Sequence, residues 1–225
     1  MIQSLLHMDT QTVQSYLLGY LYTLPVLFIA FPVHECAHAL VAYALGDRTA
    51  KWQGRLTLDP LKHLDLMGTI CLILFRFGWA KPVPVNPNNF KNPRVGMALT
   101  AIAGPLSNLL MAFVSLALLR AVQVAPAMQS ATGAAATLVT ILVQLLTVSA
   151  EINTGLFLFN LIPIPPLDGS RVLMLFLSRG AEAMLYRYEG MIQLVLMGAL
   201  FLGFLTTPLI TAEQAVLNGI WSLLP

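Results

Sequence analysis

Charge is scarce in this chain. Only 10% of its 225 residues are Asp, Glu, Lys or Arg, against 57% hydrophobic, and the mean hydropathy is +0.77. Soluble globular domains carry roughly a quarter of their residues as charges, so this composition implies an integral membrane protein. No Lys or Arg precedes Arg48, so the start lacks the basic region of a cleavable signal peptide. No basic tract occurs and the net charge is +2, which gives no reason to expect a nucleic-acid partner. Cysteine is nearly absent. Cys36 and Cys71 lie in different apolar segments and imply no disulfide framework.

What the chain has is long apolar runs, several approaching the roughly 20 residues that cross a bilayer. Residues 1–12 are mixed and are expected at an interface. Residues 13–45 form one run, broken at Pro25 and Pro32 and ending at Gly46-Asp47. Residues 47–93 are expected to form an interfacial β or re-entrant region. Trp52–Leu58 alternates like a strand, residues 66–80 are apolar but short for a span, and Lys81–Pro87 is dense in Pro and Asn. Prolines break helices and remove ladder donors, so that last stretch suits an irregular strand. Further spans are expected over 95–119, over 135–162 leading into the loop up to 170, and over 190–207, followed by an amphipathic tail. The expected fold is therefore an all-α polytopic membrane protein, a single domain over 1–225, with about four transmembrane helices and a small membrane-associated β element. Of the Lys and Arg residues, eight fall in 46–94 and three in 171–187, with Arg120 alone on the other side. That bias puts the basic segments in the cytoplasm and both termini outside.

Set in the first run is His34-Glu35-Cys36-Ala37-His38. On a helix, His34 and His38 lie one turn apart on one face and can converge on one metal ion. Glu35 is placed to take a proton from a metal-activated water. Zinc suits two imidazoles, a carboxylate from elsewhere and a water. Ionisable side chains among Leu, Ile, Phe and Val are costly unless they have work to do. The pair lies roughly 12–18 Å from the polar end of its run, by helical rise. A second constellation is Asn160-Leu161-Ile162-Pro163-Ile164-Pro165-Pro166-Leu167-Asp168-Gly169, where prolines must unwind the third span. Asp168 there suits a third metal ligand, and equally an N-cap for a helix beginning near Ser170.

HECAHA on one membrane helix, GPLSN on a second and NLIPIPPLDGS ending a third resemble the site-2 protease family of intramembrane zinc metalloproteases. DRTAKWQGRLTLDPLKHLDLMGT and GWAKPVPVNPNNFKNP resemble its compact bacterial members, so the likeness covers nearly the whole chain. It implies one zinc ion held by His34, His38 and Asp168, with Glu35 as the catalytic glutamate. Asn160 and Asn108 match positions that steady the substrate backbone or oxyanion, although Asn108 also suits a simple interhelical hydrogen bond. LDGS stands where LDGG is common, with Asp168 and Gly169 intact. No stretch resembles the PDZ or CBS domains of some relatives. The resemblance implies a plasma-membrane enzyme open to the cytoplasm that cleaves transmembrane segments of single-span proteins. A non-catalytic membrane-protein-binding homologue and a small transporter are the alternative classes. Glu151, in the middle of a span, is a further candidate for function, and His63 is expected to bond locally.

Overall fold

A computed structural model describes residues 10–75 and 78–225. The interfacial placement expected for residues 1–12 lies mostly outside the described residues. Helix α1 spans Thr10–Ala44 and carries Pro25 and Pro32 within it. Its apolar residues fall on every side, as suits a helix enclosed by lipid and protein. A tight end at Leu45–Asp47 follows, with the Asp47 amide donating to the Ala42 carbonyl at 2.9 Å.

The next stretch corrects the expected β element. Trp52–Leu58 is not a strand. Thr49–Trp52 is one helical turn, and the amides of Gln53 and Arg55 bond locally to the carbonyls of Thr49 and Ala50. Backbone groups satisfied within a turn are lost to a ladder. Pro60–His63 makes a second turn, capped by Asp59 accepting from the Leu61 amide. Helix α2, Leu66–Phe75, has ten residues, about 15 Å by helical rise and half a bilayer. Residues 81–86 run without regular secondary structure. Among the described residues the only pairing of strand type is a single bridge between Leu64 and Ala80. The cause is Pro82, Pro84 and Pro87, which cannot donate to a neighbour.

Helix α3 spans Pro93–Val124, with Asn92 capping the Val95 amide and Pro93 at its first position, the pairing favoured at helix starts. Helix α4 spans Gly133–Leu161. Short α5 covers Asp168–Leu173, α6 covers Arg179–Phe201 and α7 covers Thr206–Leu223. Three helices among the described residues are long and apolar enough to cross a membrane: 19–44, 93–124 and 133–161. The single helix expected over 190–207 is interrupted: α6 ends at Phe201 and α7 begins at Thr206, with a break at Leu202–Leu205 where Gly203 takes φ +78°.

α3 is the central helix, packed against α1 and α4, with α5 resting on it and α7 closing the α3–α4 groove. Ala112, Leu116 and Leu119 of α3 meet Ala150 of α4 and Ile220 of α7 in a buried cluster. Small residues let the helix backbones approach closely where lipid supplies no hydrophobic drive between them.

Candidate metal centre

His34 and His38 rise from adjacent turns of α1, their rings 4.6 Å apart and nearly perpendicular. Both are more than nine-tenths buried. Each Nδ1 is engaged by a different part of α3. His38 Nδ1 donates to the Thr100 carbonyl at 2.7 Å, and a carbonyl can only accept. His34 Nδ1 donates to Asn108 Oδ1 at 2.5 Å, while Asn108 Nδ2 donates to Asn153 Oδ1 on α4 at 2.8 Å. In the neutral rings, both Nε2 lone pairs therefore face inward.

The third group arrives from the end of α4. The chain doubles back there, with the Ile164 amide donating to the Ile162 carbonyl and the Leu167 amide to that of Ile164. Asp168 then opens α5 as its first helical residue. The capping position belongs to Leu167, which makes no side-chain cap, so the capping role weighed for Asp168 is not the one observed. Its carboxylate turns inward instead, with Oδ2 3.2 Å from His34 Nε2 and 3.3 Å from His38 Nε2. The two Nε2 atoms stand 3.0 Å apart.

Three electron-rich atoms thus share one buried point, and Asp168 Oδ2 has no hydrogen-bond donor. Neutral imidazole lone pairs and a carboxylate repel unless a cation lies among them. Zinc bonds of about 2.0–2.1 Å in tetrahedral geometry put neighbouring ligand atoms about 3.3 Å apart, which matches the observed triangle. His34, His38 and Asp168 form a cluster able to hold a metal ion, and the donor set fits zinc.

Two glycines make room for this triangle. A Cβ on Gly104 of α3 would collide with both imidazoles, and one on Gly169 would collide with the Leu161 carbonyl. Each lets backbone approach where any side chain would intervene.

Glu35 is also more than nine-tenths buried, and its Oε2 accepts from the Val83 amide at 2.9 Å. The Pro-rich segment is therefore tied directly to the motif's glutamate. Asn108 is fully buried, with one end on His34 and the other on Asn153. Asn160 is half-buried at the end of α4, its Nδ2 donating to the Leu156 carbonyl at 3.0 Å. Glu151 stands outside the cluster, on an exposed face of α4. His63 is fully buried and bonds the Thr57 carbonyl at 2.8 Å, a local bond as expected. Sequence reading passed over Thr100 and Asn153, and took Gly104 only as part of GPLSN, with no role of its own. The polar amide in mid-span was the available signal for Asn153; a backbone carbonyl like that of Thr100 leaves none.

A family model described as peptidase family M50 matches residues 22–203. The Bacillus subtilis (strain 168) protein named "Putative zinc metalloprotease YwhC" is 44% identical over 171 residues, which is 75% of this chain and 74% of that one. No solved structure matches.

Proposed function

Because the chain belongs to peptidase family M50, the site-2 protease family, and is a zinc metalloprotease, we propose that it cleaves transmembrane segments of single-span membrane proteins inside the bilayer. The observation that carries this is the convergence within 3.0–3.3 Å of His34 and His38, on a helix long and apolar enough to cross a membrane, with Asp168 from the turn that follows another such helix. His34, His38 and Asp168 would hold one zinc ion, which when bound would supply Lewis acidity toward the scissile carbonyl and toward water.

The chain's own groups do the rest. Glu35 accepts the proton of the attacking water and delivers it to the leaving amine, a role worth about 10²–10⁴-fold in rate. Thr100 and Asn108 fix the tautomers of His38 and His34, so that each Nε2 stays a ligand. We assign Asn108 to this positioning, because both ends of its amide are engaged and no solvent reaches it. Asn160 keeps a second N–H beside the one bonded to Leu156, and that donor is the one we assign to the substrate backbone or developing oxyanion. A substrate helix must unwind to expose its carbonyls, and the extended segment 81–87 receives it as an added strand.

The whole chain acts as one intramembrane domain of the plasma membrane, open to the cytoplasm, with both termini outside. The Lys and Arg bias supports that orientation. So does the course of the C-terminal helices. Glu182 at the start of α6 pairs with Arg94 at the start of α3, while Arg120 near the end of α3 donates to the Pro225 carbonyl at 2.9 Å. From Glu182 to Pro225 the chain makes one net traverse, which gives an even number of crossings.

The test is incubation of the purified protein with a single-span substrate. Zinc-dependent cleavage should disappear with a chelator and in Glu35→Gln, while Glu35→Gln keeps its zinc. Cleavage that survives both treatments would refute the proposal.

A further inference from the structure

Segment 81–87 is held across the candidate site by its main chain. Pro82, Pro84 and Pro87 carry no N–H, which leaves amides at Lys81, Val83, Val85, Asn86 and nowhere else. The Lys81 amide donates to the His63 carbonyl at 2.7 Å, the Asn86 amide to Asp47 Oδ2 at 2.7 Å and the Val83 amide to Glu35 Oε2 at 2.9 Å. Arg55 Nη2 donates to the carbonyls of Lys81 and Pro82. Asp47 also accepts from the amide and hydroxyl of Thr49 and from Asn89 Nδ2. Asp47 is fully buried and Arg55 is 6% exposed. Burying a guanidinium and a carboxylate is unfavourable unless their bonds are made, and here both serve the backbone of one short segment. Neither touches the metal ligands in any observed bond.

We infer that Arg55 and Asp47 are positioning residues that set segment 81–86 so that the Val83 amide holds the Glu35 carboxylate at rest, and that an extended substrate segment takes over this amide and releases Glu35. The inference rests on the protease reading above. An added strand needs donors from segment 81–87, and only those of Val85 and, after exchange, Val83 are open to it. A carboxylate is a stronger acceptor than a peptide carbonyl. The exchange is therefore favourable only when the substrate bonds Val85 at the same time and seats its side chains. Release of the base is thereby tied to a substrate in register, and a passing carbonyl leaves Glu35 held.

Amide hydrogen exchange resolved at residues 83, 85 and 86 tests this on the full chain with zinc in detergent. Glu35→Ala should speed exchange at Val83 at least tenfold and leave Asn86 unchanged, whereas Asp47→Asn should speed Asn86. A single-span substrate bound to Glu35→Gln protein should slow exchange at Val83 and Val85. Val83 exchange indifferent to Glu35→Ala, or a bound substrate that protects neither amide, overturns the inference. In turnover, Arg55→Ala should raise KM about tenfold with zinc content and kcat little changed; a parallel loss of kcat and zinc would make Arg55 merely structural and overturn its part. Exchange is read without cleavage, so a wild-type protein that cleaves nothing sinks the protease reading while the exchange result is judged separately.

Discussion

At the scale of single residues, the centre depends on groups that never touch the metal. Asn108 bridges His34 to Asn153 across three helices, so removing its amide frees the His34 ring to turn and to change tautomer. Asn108→Ala should weaken zinc affinity about 10–100-fold, the usual cost of losing such an outer partner, as measured by competition with a chromogenic chelator. Gly104 acts by having no side chain. Gly104→Ala puts a methyl into both imidazoles and should yield folded protein with substoichiometric zinc by metal analysis. The spacing of His34 and His38 on one helix face was legible in the sequence because it is a local fact, whereas the proline-broken helix end left Asp168 open between metal ligand and N-cap. Thr100 was not legible, because its contribution is a carbonyl that every residue has.

At the scale of elements, the three long helices followed from apolar run length, and the end of α4 from the prolines after Ile162. The segment after α1 did not follow. Alternation over Trp52–Leu58 reads as a strand, yet local turns and buried side chains hold it. Asp47 shows the cause most plainly: four hydrogen bonds gather on one carboxylate, joining α1's end to residues 49, 86 and 89. Burial works against ionising Asp47, but the bonds from Thr49, Asn89 and Asn86 prevail and lower its pKa. A carboxyl held below its unfolded value of about 3.9 contributes stability that is complete above that pH and is lost as pH falls through the folded value. The thermal stability of the wild type should therefore fall on acidification from about pH 5 to pH 3. Asp47→Asn should be less stable at pH 7 by about 1–3 kcal/mol and flatter over that acid range.

At the scale of the whole molecule, orientation and assembly meet at the two ends of α3. With Cys36 and Cys71 replaced, a single cysteine at Lys91 should react with an impermeant reagent only from the cytoplasmic side, and one at Gln129 only from outside. Equal labelling of both from one side would overturn the assigned orientation. The sequence by itself determined that this chain is an apolar helical protein with a zinc-binding helix and a carboxylate at a broken helix end, because apolar run length, proline and the His-x-x-x-His spacing act within a few turns. Only the tertiary structure decided that Asp168 turns to the histidines instead of capping a helix, that Asn108 serves His34, and that the Pro-rich segment reaches Glu35. Those outcomes depend on which donors and acceptors far apart in the chain meet inside a low-dielectric interior, where each must find a partner and local sequence does not say which.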